Sequence, residues 1–202
     1  FHLSMEDRWF TVGRSSLLAP LLLVFLTAFL IAFLPISVTQ AEDFDATRQL
    51  FLQGKYDKCV EQAKAEFERG VFNENWPLLL LKARLVRGQY QAALEEYEAA
   101  INRFPQSIGL RLVGHDVYNF VDRTSDAQRQ YQEIISLVQR RAWRYSSSKD
   151  RVVLGRFLVA QGEDARDILE LFYDRAKRSN SRYIETYLAT AELALAKHDY
   201  QE

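Results

Sequence analysis

Few side chains in this 202-residue sequence stand at the spacings that chemistry requires. His115-Asp116 is the kind of dipeptide that contributes ligands to metal-dependent phosphohydrolases. It stands alone inside a helical stretch, and the distant partners such a centre needs are missing. His198-Asp199 has the same shortcoming. Glu95-Glu96, and Glu61 near Glu66, read as helix-surface charges, several with cations one turn away. Acid–base work requires a carboxylate whose environment shifts its pKa, and nothing around these acids signals burial. Cys59 is the single cysteine. It cannot form an intramolecular disulfide, and one thiol with three scattered histidines makes no metal set. No phosphate-cradling glycine loop, nucleophile elbow or His-Glu-x-x-His zinc helix is present. The expectation is a chain without catalytic residues, metal or cofactor of its own.

The composition describes the elements that would position any such residue. Hydrophobic residues make up 48% of the chain, and there are only 8 glycines and 4 prolines. That balance favours folded helices over disorder. The net charge of −1 gives no basic field to attract nucleic acid. Arg140-Arg141-Ala142-Trp143-Arg144 is a local basic run, placed where cations complement a helix C-terminus. Most of the 13 phenylalanines, 10 tyrosines and 3 tryptophans recur at helical spacing, as core residues do.

The clearest stretch is Trp76–Pro105. Gly54-Lys55-Tyr56 returns 34 residues later as Gly88-Gln89-Tyr90. At the same offset Ala93, Tyr97 and Ala100 map onto Ala127, Tyr131 and Ile134, although Asp122-Arg123-Thr124 has lost the glycine and tyrosine. Gly162 follows Asp122 by 40 residues, so about six extra residues belong near Trp143–Ser148. His198-Asp199-Tyr200 repeats the corner once more, and the chain stops at Glu202 as a second helix should begin. The expected pairs are 43–53 with 57–69, 76–87 with 91–103, 106–121 with 125–141, and 149–161 with 164–178, then a last helix over 181–197. Ser125 and Gln128 have capping-box spacing. No stretch alternates with period two, so no strands are expected. The last helix lacks a partner and should expose Tyr187, Leu188, Ala191 and Leu195.

The spacing Gly88, Tyr90, Ala93, Tyr97, Ala100, Pro105 resembles the tetratricopeptide repeat (TPR). The resemblance implies an all-α, right-handed superhelix of antiparallel helix pairs, with about four and a half repeats: 42–73, 74–107, 108–147, 148–181 and an incomplete 182–202. It puts Cys59 in the small seat that Ala93 and Ala127 occupy. It also implies a concave face lined by the first helix of each pair. The middle groove position then falls on Arg48, Lys82, Asp116, Arg156 and Glu192, with Leu85, Val86, Asn119 and Phe120 one turn further on. The family's peptide-carboxylate clamp of lysines and asparagines is not present in order; only Lys82 and Asn119 correspond to it.

Ahead of the repeats lies a targeting segment, residues 1–41. Arg8 and Arg14 precede Leu17–Ile36, which carries no charge and is about long enough to cross a bilayer. Thr39-Gln40-Ala41 offers small residues to a signal peptidase. Cleavage near Ala41 and an uncleaved membrane anchor through residues 17–36 both remain open; either places the repeats outside the cytoplasm, the anchor only in the positive-inside orientation. Two functions are compatible with this layout. One is an exported or membrane-tethered scaffold that binds a protein or peptide in its groove. The other is the TPR module of a larger envelope enzyme, such as a hydrolase, with its catalytic domain beyond residue 202.

Overall fold

A computed structural model describes residues 36–198, with side chains from 44 to 196. The expected targeting segment falls almost wholly outside them. Among the described residues no helix is long and apolar enough to cross a membrane. The chain divides into two units, residues 1–43 and 44–202. The stacked helix pairs belong to the second.

The described elements are all helical. They are α1 (Ile36–Leu52), α2 (Tyr56–Glu68), α3 (Asn75–Val86), α4 (Tyr90–Arg103), α5 (Ile108–Phe120), α6 (Thr124–Arg140), α7 (Ser148–Ala160), α8 (Ala165–Ile168), α9 (Asp174–Ser179) and α10 (Ile184–His198). A 3₁₀ turn, Ala142–Tyr145, occupies the place of the expected insertion. A π turn, Leu169–Tyr173, joins α8 to α9. The segment expected as one helix over 164–178 is therefore a helix with a wide turn in its middle.

The helix ends explain the corners. Gly88 leaves α3 at φ +68°, a left-handed backbone that costs glycine little. In the third pair, where the glycine is lost, Asp122 takes the same conformation at φ +57°. Aspartate is among the few side chains that tolerate it, so the corner survives its sequence change. The expected capping box at Ser125 does not form. The helix begins at Thr124, after Arg123, with no side-chain cap. Side chains of Ser107, Ser147 and Asp164 accept backbone N–H groups at helix starts.

The seams between pairs hold the core. Cys59, Ala93 and Ala127 each lie three residues into their helix and are fully or almost fully buried. They let the second helix approach the first closely. Tyr97 fills the space to the next pair, its ring lying against the backbone of Gly114, where a Cβ would overlap it. Tyr97 and Tyr131 sit seven residues into α4 and α6, and Ala100 and Ile134 ten residues in; all four are buried. A small residue facing a large one lets ridges enter grooves. On α10, Tyr187 is 47% exposed and Leu195 68% exposed, and Leu188 and Ala191 are exposed too.

Candidate functional site

Stacking the pairs leaves one face concave, with a cleft of about 700 Å³. Almost all of its lining comes from the first helix of each pair. Helix α1 contributes Phe44, Arg48, Phe51 and Leu52, and α3 contributes Leu78, Leu79 and Lys82. Gly109, Leu112 and Val113 come from α5, and Lys149, Val152, Val153 and Arg156 from α7. Helix α10 closes the lining with Ile184, Glu185, Leu188 and Glu192, next to Arg182 and Tyr183. The residues on each helix recur at three- and four-residue steps, which is one stripe of an α-helix.

The stripe is apolar along its length and charged at particular points. Five cations, Arg48, Lys82, Lys149, Arg156 and Arg182, face three acids, Asp45, Glu185 and Glu192. Glu185 is the hub. Arg48 donates to it at 3.1 Å, which ties the first described pair to the last helix, and Arg156 lies 3.4 Å away. Arg156 also pairs with Glu192 at 3.0 Å. Burial alone would raise the Glu185 carboxyl, but Lys82, Arg156 and Arg48 outweigh it and hold the group below the usual carboxylate value. At another edge, Lys149 pairs with Glu74 and donates to Asn75 Oδ1 at 2.7 Å.

Lys82 differs from its neighbours. Among the described residues it makes no hydrogen bond and no ion pair within 4 Å. It lines the cleft but is exposed to solvent. Burial pushes its ammonium below the ordinary value; Glu185 and Glu192 pull it back up, while Arg156 and Arg48 push it further down.

Four of the expected groove residues, Arg48, Lys82, Arg156 and Glu192, thus come together in the cleft. The other five lie outside its lining. Asp116 is exposed and bonds with its neighbour His115 at 3.1 Å. Asn119 is exposed and also contacts the His115 ring. Phe120 is 52% exposed and stacks on Tyr90 at 4.6 Å. Leu85 packs against the core around Ala93, and Val86 is exposed. Lys82 and Asn119, the two residues that correspond to the family's clamp, are therefore not brought together in the cleft lining. Sequence reasoning missed Glu185, Arg182 and Lys149. Glu185 had a usable signal, since it lies one seven-residue step before Glu192 on the same helix stripe.

The chemistry candidates have structural partners. The His115 ring stacks on Tyr131 at 3.7 Å. Cys59 is buried, and burial pushes its thiol up to about 11, which keeps it a poor nucleophile. Glu96 is held by Arg84 through two hydrogen bonds of 2.8 and 3.0 Å. Among the described residues no three His, Cys, Asp or Glu side chains are grouped to hold a metal ion.

No protein-family model matches the chain, and a comparison with curated proteins gives no match. Among solved structures it is similar to a thermophilic TPR protein of Thermus thermophilus, at 15% identity and a TM-score of 0.48, covering 76% of this chain and 80% of that one. It is also similar to the MamA protein, at 17% identity and a TM-score of 0.45, covering 79% and 83%. Both likenesses are of fold alone.

Proposed function

We propose that this chain is a non-catalytic, TPR-like interaction scaffold that holds a peptide segment of a partner protein in its concave cleft. The observation that carries this reading is the origin of the lining. The first helices of successive pairs turn one apolar stripe each toward a single cleft, and charged groups stand at fixed points along it. Its volume lies in the range of ligand-holding pockets, about 300–1,000 Å³. Apolar walls supply binding energy, and the few polar groups supply orientation.

Panning a random heptapeptide display library over the chain tests this. Leu188 is 43% exposed and lines the cleft, so Leu188→Trp fills it without disturbing the core. Selected peptides should bind the parent chain and lose binding to Leu188→Trp, while the melting temperature stays unchanged. Equal binding to both proteins would remove the cleft from the account.

The proposal extends to location. The uncharged run 17–36 after Arg8 and Arg14 supports a scaffold outside the cytoplasm, cleaved near Ala41 or anchored by that run. A protease added to intact cells, with its access limited to the outer side of the cytoplasmic membrane, should digest the repeats. Full protection there would refute the assignment.

A further inference from the structure

We infer that the cleft selects a segment in which one aspartate or glutamate stands among bulky apolar residues, with its carboxylate seated on Lys82. This rests on the peptide-binding reading of the cleft and names the kind of peptide.

The argument begins with the charges. Arg48, Lys82 and Arg156 surround one carboxylate, Glu185. The two arginines are engaged with it at 3.1 and 3.4 Å. Arg156 has a second acid in Glu192 at 3.0 Å. Lys82 alone of the three has no hydrogen bond or ion pair within 4 Å among the described residues. The cleft therefore holds an ammonium that acts on Glu185 and Glu192 only at a distance, while Arg48 and Arg156 make the direct contacts with those acids.

A segment entering the cleft strips water from that ammonium. Removing a charge from water is costly unless a partner replaces the lost hydrogen bonds. A wholly apolar segment leaves the cost unmet, and a basic one adds repulsion from Lys82 and Arg182. A carboxylate supplies the missing acceptor and a charge-assisted hydrogen bond. The same cleft is lined by the apolar Leu78, Leu79, Val113 and Val152. They favour apolar side chains on either side of the acid. Selectivity arises because the wrong ligand leaves a polar group unpaired.

The test uses peptides selected from the random heptapeptide library. Each is synthesised in its selected form and with its acid changed to the matching amide, and both are titrated against the parent chain, Lys82→Gln and Lys82→Arg. The selected set should be enriched in single acids between apolar residues. Changing acid to amide should weaken binding to the parent chain about tenfold or more. Lys82→Gln should bind both forms alike, and Lys82→Arg should restore the preference. Lys82→Gln should melt no lower than the parent, since burial disfavours the Lys82 ammonium more than Glu185 and Glu192 favour it. Peptides that lose binding to Leu188→Trp but show no acid preference would overturn this inference and leave the scaffold reading standing. Failure to recover any peptide sensitive to Leu188→Trp would overturn both. Oleate binding at Lys82 without any peptide binding would show a small amphiphile as the occupant and likewise overturn them.

Discussion

The seam between the second and third pairs and the fourth pair solve one packing problem in two ways. In α4 and α6 the buried positions are three, seven and ten residues after the helix start: Ala93, Tyr97, Ala100 and Ala127, Tyr131, Ile134. In the fourth pair, counted from Ala165, they are three, eight and eleven: Ile168, Tyr173 and Ala176. The π turn at 169–173 supplies the extra residue. Without it, Arg175 would occupy the position that buried Ala176 now holds. The wide turn keeps that arginine in solvent and sets the Tyr173 ring against Gly155, as Tyr97 is set against Gly114. A helical repeat can thus absorb a one-residue change inside a helix and keep its neighbours in register.

Single-residue deletions give the sharpest break of that comparison. Deleting exposed Gln128 from α6 turns Tyr131 and Ile134 about 100° off the core. The expected loss is more than about 4 kcal/mol, read from urea unfolding. Deleting Leu171, 45% exposed within the π turn, restores the seven-and-ten spacing for Tyr173 and Ala176. It should cost only about 1–2 kcal/mol. Equal losses would show that the π turn does not absorb register.

The glycines come next. Gly114→Ala places a Cβ on a Tyr97 ring whose hydroxyl donates to Gln130 at 2.7 Å. Gly155→Ala meets the Tyr173 ring, whose hydroxyl has no hydrogen bond among the described residues. Both should destabilise by about 1–3 kcal/mol, the first more than the second. A reversed order in thermal melts would mean that the Tyr97 ring is free to shift.

Alkaline pH treats the two regions alike. Burial pushes Tyr131 and Tyr173 up to about 12 from 10.0, with Asp116 adding to the effect at Tyr131, and Arg156 opposing it and Glu192 adding to it at Tyr173. Their folded pKa values are raised, so the stability they contribute is whole below pH 10 and lost as pH climbs through 12. Melts at stepped pH should fall across that window. Tyr131→Phe and Tyr173→Phe should each make the fall shallower.

Tyr97→Phe removes one buried hydrogen bond, but Arg111 still donates to Gln130 at 3.1 Å. The cost should be about 1 kcal/mol, and it should appear as lost hydrogen-exchange protection in α5 before α7. Leu195→Gln, on the open face of α10, should change stability by no more than about 0.5 kcal/mol. A larger loss would reveal that this face is covered.

The legible features were local ones. Helix positions follow from periodicity, and the corners from glycine at helix ends. The small seat at Cys59, Ala93 and Ala127 follows from three small residues at one spacing. Asp122 in a left-handed corner was not legible, because its backbone is imposed by the helices on either side. The caps at Ser107, Ser147 and Asp164 were passed over for Ser125, since a capping pattern one residue inside a helix looks much like one at its start. Of the site, Arg48, Lys82, Arg156 and Glu192 were named from the groove position that the TPR resemblance implies, carried along the repeat register. Asp116 shares that register but lies outside the lining, which on α5 consists of Gly109, Leu112 and Val113.

The sequence by itself determined the helix pairs and the side of each helix that packs inward, because both depend on neighbours within a few residues along the chain. The meeting of Arg48 with Glu185, 137 residues apart, depends on the curvature summed over every pair, which no local pattern encodes. The π turn, and the pairing of Arg156 with both Glu185 and Glu192, were likewise decided only when the whole stack was assembled.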